Sequence, residues 1–238
     1  MSFRRFVSRW KKTPLHPQWF AFYRESADLR KICSGMHGMV VDIGCAECKP
    51  KSILSNDGQY LGIDYYATAK HWYFTRPDVF ADAHYIPLRS ESVDNVLLLD
   101  VLEHLVDPDK CLKEIFRVLK PGGTLTIQVP FLYPIHDAPR DFLRWTRYGL
   151  LNASQRHGFE VLEEEAIGHP LESAALNTCI AVTKTVLNAW HQKSILSIFA
   201  LFLPFIVVSI NVLAWLGARL TQFDSFMPYG YRMKWAKN

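Results

Sequence analysis

The chain has little charge asymmetry and no long run of one sign outside its first twelve residues; its formal net charge is only +4 over 238 residues. That balance gives no support to a nucleic-acid partner, which a clustered basic face would signal. Cysteine is scarce and odd in number: Cys33, Cys45, Cys48, Cys111 and Cys179. Cys45 and Cys48 form a C-x-x-C pair, but no second pair or clustered histidine follows it. Reduced thiols in a cytoplasmic protein, with no bound metal and no redox role, are the expectation. Internal repeats and low-complexity tracts are absent, so one ordinary α/β domain is the starting expectation. The amino terminus lacks the apolar core of a secretory signal. No acid precedes Glu25, which leaves a transit peptide open.

Two absences of charge or apolarity point elsewhere. From Ser194 to Leu216 there is no charged residue, and Ile, Leu, Phe and Val dominate. As helix this run is long enough to meet a hydrocarbon layer of about 30 Å. Pro204 and Asn211 interrupt its uniformity. Within Met1 to Lys12, Phe3, Phe6, Val7 and Trp10 share a helical face, while Arg4, Arg5, Arg9, Lys11 and Lys12 lie elsewhere. A basic amphipathic surface of that kind suits anionic lipid headgroups.

The informative centre runs from Val40 to Val129. Val40-Val41-Asp42-Ile43-Gly44-Cys45 reads as an apolar strand entering a tight turn, and Tyr60 to Ile63 is a second strand that ends on Asp64. A strand, a glycine turn and an acid at the end of the next strand can hold an adenosine. The turn admits backbone close to the ligand, and the carboxylate accepts from both ribose hydroxyls. Further strands are expected at Val79–Ala81, Val93–Leu99, Thr124–Val129, Phe159–Ile167 and Tyr229–Ala236. Helices are expected over Trp19–Cys33, Pro108–Leu119 and Thr146–His157. Apolar strands alternating with helices predict a parallel sheet covered on both faces.

The segments divide as residues 1–34, a basic amphipathic terminus and a helix lying over the ligand mouth; 35–170, the core; 171–222, a hydrophobic helical insert; and 223–238, the final strand. A last strand in the same sheet requires the insert to leave and return on one membrane face. Lys193 and Arg219 bracket the apolar run without positive-inside asymmetry. A hairpin or an interfacial helix, monotopic on the cytoplasmic side, is therefore expected rather than a single span.

Val40 to Phe131 resembles the class I S-adenosylmethionine-dependent methyltransferases of the methyltransferase-11 group. The resemblance is carried by Val41-Asp42-Ile43-Gly44-Cys45, Gly62-Ile63-Asp64, Asp82-Ala83, Val101-Leu102-Glu103-His104-Leu105 and Arg117-Val118-Leu119-Lys120-Pro121-Gly122-Gly123. It implies a Rossmann-like seven-stranded α/β sheet and S-adenosyl-L-methionine as cofactor; the apolar run adds a hydrophobic helical insert between strands six and seven. The resemblance also implies that Asp42, Gly44, Cys45 and Ala46 wrap the methionine part, that Asp64 binds the ribose diol, and that Asp82 and Ala83 meet the adenine. One departure stands out. Ala46 and Cys48 occupy turn positions where the family usually has glycine, and a positive φ at an alanine costs roughly 1–2 kcal/mol. Either the turn avoids that conformation or cofactor affinity falls.

Past strand five, His136-Asp137-Ala138-Pro139-Arg140-Asp141-Phe142-Leu143-Arg144-Trp145-Thr146 resembles a phrase of bacterial methyltransferases, many of them in surface-polysaccharide contexts. His136 is the candidate general base, because imidazole titrates near neutrality. Asp141 either orients that ring or pairs with Arg144 as a clamp, with Thr146 capping the next helix. His104 either lines the acceptor site, with Arg144 as a second substrate contact, or packs locally. The function expected is methyl transfer at the membrane to a lipid-linked saccharide or another amphiphile. A non-catalytic membrane binding protein and a quinone or small-lipid methyltransferase are the alternatives.

Overall fold

The computed structural model describes residues 10–54, 58–70 and 74–238. The basic amphipathic reading of Met1 to Lys12 falls mostly on residues 1–9, outside the described residues. The chain divides into two compact units. One comprises Leu29–Phe131, Ile135–Ala166 and Gly230–Asn238; the other Met1–Asp28, Leu132–Pro134 and Ile167–Tyr229.

The first unit is built on a seven-stranded sheet of order β3-β2-β1-β4-β5-β7-β6. Its strands are β1 (Gly38–Ile43), β2 (Gly58–Asp64), β3 (Val79–Phe80), β4 (Val93–Leu99), β5 (Leu119–Pro130), β6 (Phe159–Ile167) and β7 (Gly230–Lys237). Strands β3, β2, β1, β4 and β5 pair in parallel, and β7 runs antiparallel to β5, with Leu125 opposite Trp235 and Ile127 opposite Met233. The all-parallel expectation is corrected by β7. That strand re-enters at Gly230, and the neighbouring Tyr229 N–H donates to the Ile167 carbonyl at the end of β6 (3.0 Å). It starts where β6 stops. Tyr231, Met233 and Trp235, the alternate residues of β7, bury their side chains in the core with Val96, Leu98, Leu125 and Ile127, as a period of two requires.

Helix α4 (Pro108–Val118) starts where Asp107 accepts from the Lys110 N–H (3.0 Å) and proline occupies the first turn, a standard opening because those N–H groups have no helical acceptor. Its buried residues Cys111, Leu112, Ile115 and Val118 recur at helical spacing. Helix α5 (Arg147–Arg156) is capped by Thr146, whose hydroxyl accepts from the Gly149 N–H (3.0 Å). A one-turn helix, α3 (Tyr66–Thr68), follows β2.

In the second unit, the single helix expected over Trp19–Cys33 is two pieces, α1 (Trp19–Phe22) and α2 (Glu25–Cys33), the latter continuing into the first unit. Trp19, Phe20 and Tyr23 stack as an aromatic group. Glu25 and Asp28 then sit in the first turn of α2, where a new helix dipole favours negative charge. The apolar insert forms α6 (Pro170–His191) and α7 (Leu203–Leu220), two helices joined through a 3-10 segment at Ile195–Leu201. The run from Ser194 is thus not one helix. It restarts at Leu203-Pro204, because a proline without an N–H suits a first turn and not an interior. Asn211 is wholly buried: its amide donates to the carbonyls of Pro14 (2.8 Å) and His16 (3.2 Å), and its oxygen accepts from Cys179.

Candidate active site

The sheet order reverses between β1 and β4, so β1 leads outward through β2 to β3 and β4 leads the other way. In open α/β sheets such a reversal leaves a crevice beyond the carboxyl ends of the strands. A cavity of about 340 Å³ lies there, lined by Ile43, Gly44, Asp64, Asp82, Ala83, Asp100 and His104 among others. Its volume falls within the range of about 300–1,000 Å³ that holds small ligands.

Gly44 opens the turn at φ +74°, and a Cβ there would stand 2.3 Å from the Val101 side chain. Only glycine fits. Ala46 and Cys48 also take left-handed backbone, at φ 44° and 52°. The turn therefore keeps the conformation that glycine would favour. A hydrogen bond from the Ala46 N–H to Asp64 Oδ2 (2.8 Å) ties it to β2. The other Asp64 oxygen accepts from the Tyr65 N–H (2.7 Å) and the Thr68 hydroxyl (2.8 Å). Asp82 Oδ1 accepts from the His84 N–H (2.9 Å) and lies 2.5 Å from His84 Nδ1. The sulfurs of Cys45 and Cys48 are 3.5 Å apart beside Gly62. Burial pushes the Cys45 thiol far up, so it stays protonated and poorly nucleophilic.

A second group of side chains gathers at the ends of β4 and β5. Asp100 adopts φ +55° just after β4 and accepts from Gln128 Nε2 (2.9 Å). Loss of hydration in the crevice and the nearby Glu103 charge push its carboxyl up to about 7. Glu103 is fully buried, and among the described residues neither carboxylate oxygen has a hydrogen-bond partner. His104 Nε2 and His136 Nε2 lie 3.7 and 3.8 Å from Glu103 Oε1, and the two rings meet edge to face at 4.9 Å. Arg144 grips Asp141 through two bonds (2.5 and 2.7 Å), and this guanidinium holds the Asp141 carboxyl down to about 2. Asp141 also accepts from the His136 N–H (2.9 Å) and lies 3.3 Å from His136 Nδ1.

Residues 41–127 match a family model described as a methyltransferase domain. Residues 41–127 form a methyltransferase domain of the S-adenosylmethionine-dependent class. Curated relatives match part of the chain. A Mycolicibacterium smegmatis protein named "Probable S-adenosylmethionine-dependent methyltransferase" is 33% identical over 103 residues, 41% of this chain and 39% of that protein. The ubiquinone/menaquinone biosynthesis C-methyltransferase UbiE of Haemophilus ducreyi is 34% identical over 73 residues, 31% of this chain and 28% of that one. The chain thus spans well under half the length of the relatives it matches. Among solved structures, phosphoethanolamine N-methyltransferase 2 of Haemonchus contortus in complex with S-adenosyl-L-methionine aligns at a TM-score of 0.53 and 18% identity, covering 100% of this chain and 60% of that one. The cyclase SpnF aligns at 0.57 and 17%, covering 92% and 82%. At such identities these likenesses establish the fold alone, and one fold hosts several chemistries.

The methyltransferase domain offers S-adenosylmethionine a fitting set of donors and acceptors. Asp64 ends β2 in the cavity wall, with one protein donor on Oδ2 and a lone pair left for a ribose hydroxyl. Asp82 and Ala83 line the same wall, and Asp82 Oδ2 has no protein donor among the described residues. Gly44 brings backbone to the floor. Asp42, Cys45 and Ala46, also expected at the cofactor, are not among the lining residues. His104 does line the cavity, whereas His136, Asp141 and Arg144 are not among its lining residues. Missed in the sequence were Glu103 as a buried acid, Asp100 on the floor and Thr68 as a partner of Asp64. Glu103 had a visible signal in its position beside His104.

Asp42 has a different task. It is 3% exposed, accepts from the Tyr60 hydroxyl (2.8 Å), and burial pushes its carboxyl up to about 6. Between about pH 4 and 6 the native chain retains a proton that the unfolded chain has lost. Stability therefore falls as pH rises through that window, by about 3 kcal/mol from this group. Asp42→Asn keeps an acceptor for Tyr60 and removes the charge. In thermal melts the variant is expected to match wild type at pH 4 and to exceed it by about 6–12 °C at pH 8. Equal melting temperatures at pH 8 would contradict the assignment.

Proposed function

We propose that this methyltransferase acts at the cytoplasmic face of a membrane and methylates an amphiphilic acceptor, with a lipid-linked saccharide as the first candidate. The supporting observation is the outer surface of the insert. Ile195, Leu201, Phe202, Phe205, Leu213 and Leu220 are all exposed, and only 11% of the α7 window is buried. Exposed apolar surface on that scale marks contact with lipid or protein. Helix α7 would extend about 27 Å, slightly short of the hydrocarbon thickness, and buried Asn211 ties it to the chain around Pro14. An interfacial pose fits both features better than a full span. Flotation with anionic vesicles tests this attachment; a protein that stays with the soluble fraction without lipid or detergent would oppose it.

S-adenosylmethionine supplies a methyl group already activated on a sulfonium, so the residues of the chain have two tasks. Gly44, Asp64 and Asp82 fix the nucleoside, and the group around His104 and His136 handles the acceptor and its proton. His136, held by Asp141, is the expected base. The measurement is transfer of labelled methyl to extracts of bacterial membranes, with product masses determined. Label in a saccharide-bearing lipid supports the first reading. Label in a quinone supports a second reading, favoured by the relatives named for ubiquinone and menaquinone biosynthesis. Binding of S-adenosylhomocysteine without transfer to any fraction would indicate a non-catalytic binding protein. His136→Ala should lower transfer about 100-fold or more, in the range of lost acid–base catalysis.

A further inference from the structure

A carboxylate buried without any hydrogen-bond donor is costly, by several kcal/mol, and native folds seldom leave one so. Glu103 is such a group, with both oxygens unpartnered among the described residues and the side chain at 0% exposure. What faces it is a pair of imidazoles. The Nδ1 of His104 lies 2.7 Å from the carbonyl of Arg140. A carbonyl only accepts, so Nδ1 carries the proton and the neutral ring presents a lone pair at Nε2. On the other side, Nδ1 of His136 lies 3.3 Å from Asp141 Oδ2 and 3.4 Å from Arg144 Nη2. A carboxylate at Nδ1 is the arrangement that orients metal-binding imidazoles. One ligand atom each from Glu103, His104 and His136 lies within 4.8 Å of the others.

We infer that Glu103, His104 and His136 form a binding site for a divalent transition-metal ion, of which zinc is the reference case. Two histidines and one carboxylate are a recurrent ligand set for zinc and ferrous iron that leaves coordination positions open. Nitrogen and oxygen ligands at about 2.1 Å in tetrahedral array stand roughly 3.4 Å apart. The 3.7 and 3.8 Å separations from Glu103 Oε1 close to that value with small side-chain rotations. The ion would neutralise Glu103. His104 lines the cavity, so an open position is within reach of an acceptor bound there. A metal ion lowers the pKa of an oxygen that it binds. In that arrangement His136 is a ligand, and the ion takes over the acidification of the acceptor. This role rests on the proposed methyl transfer, whereas the site itself does not. It departs from the metal-free expectation drawn from cysteine and histidine spacing.

The test uses the full-length protein, treated with chelator and then titrated by calorimetry with zinc, and separately with cobalt followed by visible absorption. One equivalent should bind, and Glu103→Gln, His104→Ala and His136→Ala should each weaken binding 10-fold or more. Circular dichroism and thermal melts show that each variant is folded, and S-adenosylhomocysteine is titrated in parallel. No zinc binding by a wild type that binds S-adenosylhomocysteine overturns the site and leaves the methyltransferase reading intact. Equal zinc affinity in all three variants, or intense thiolate–cobalt bands, overturns it in favour of Cys45 and Cys48. Zinc binding lost in the variants, without S-adenosylhomocysteine binding in wild type, upholds the metal site and counts against the proposed function.

Discussion

Asp64→Ala should abolish measurable binding of S-adenosylhomocysteine, a loss of at least 100-fold by calorimetric titration. The carboxylate serves two partners at once. It would accept from the ribose, and it already receives the Ala46 N–H, the Tyr65 N–H and the Thr68 hydroxyl. Each charge-assisted bond is worth about 1.5–3 kcal/mol, so losing the ribose contacts and loosening the turn together exceed two factors of ten in affinity. Asp64→Asn separates the two contributions. It keeps one oxygen for the surrounding donors but introduces an NH₂ beside a ribose hydroxyl, so the fold should survive better than the affinity. Wild-type affinity in Asp64→Ala would remove the cavity from consideration as the cofactor site.

The second large effect is expected at Gly44. Gly44→Ala puts a Cβ 2.3 Å from the Val101 side chain, at a backbone φ of +74°. Neither difficulty relieves the other. The conformational cost is roughly 1–2 kcal/mol, and overpacking between the turn after β1 and the segment after β4 adds about 1–3 kcal/mol. Loss of cofactor binding with a melting temperature lower by about 5–10 °C is the expected result. Val101→Ala in the same chain removes the clash but not the φ penalty. The double variant should therefore recover part of the stability. Full recovery would mean that sterics alone dictate the glycine, and no recovery would mean that backbone conformation does.

Legibility in the sequence followed the range of the interactions. The strand–turn–acid register from Val40 to Asp64, the start of α4 at Pro108 and the alternation of Tyr231, Met233 and Trp235 are set largely by local sequence. Each was readable. The left-handed backbone at Ala46 was not, because what holds it is a bond from Ala46 to Asp64 on another strand. The buried environment of Glu103 was also hidden. Glu103 and His104 are adjacent in the chain, but His136 arrives from the loop after β5, and spacing gives no hint that its ring faces the same carboxylate. Asn211 read as a flaw in an apolar run. Its role is to satisfy the carbonyls of Pro14 and His16 from across the sequence.

The chain leaves the sheet at Ile167 and returns at Tyr229, and these two residues are hydrogen-bonded to each other. For the sheet, everything between them is a closed detour whose ends are already pinned. Closing such a detour costs only about 0.6 kcal/mol more for each doubling of its length. Lengthening, shortening or exchanging that stretch therefore hardly taxes β6 and β7. That stretch can change in length and sequence while the pairing of the sheet stays as it is.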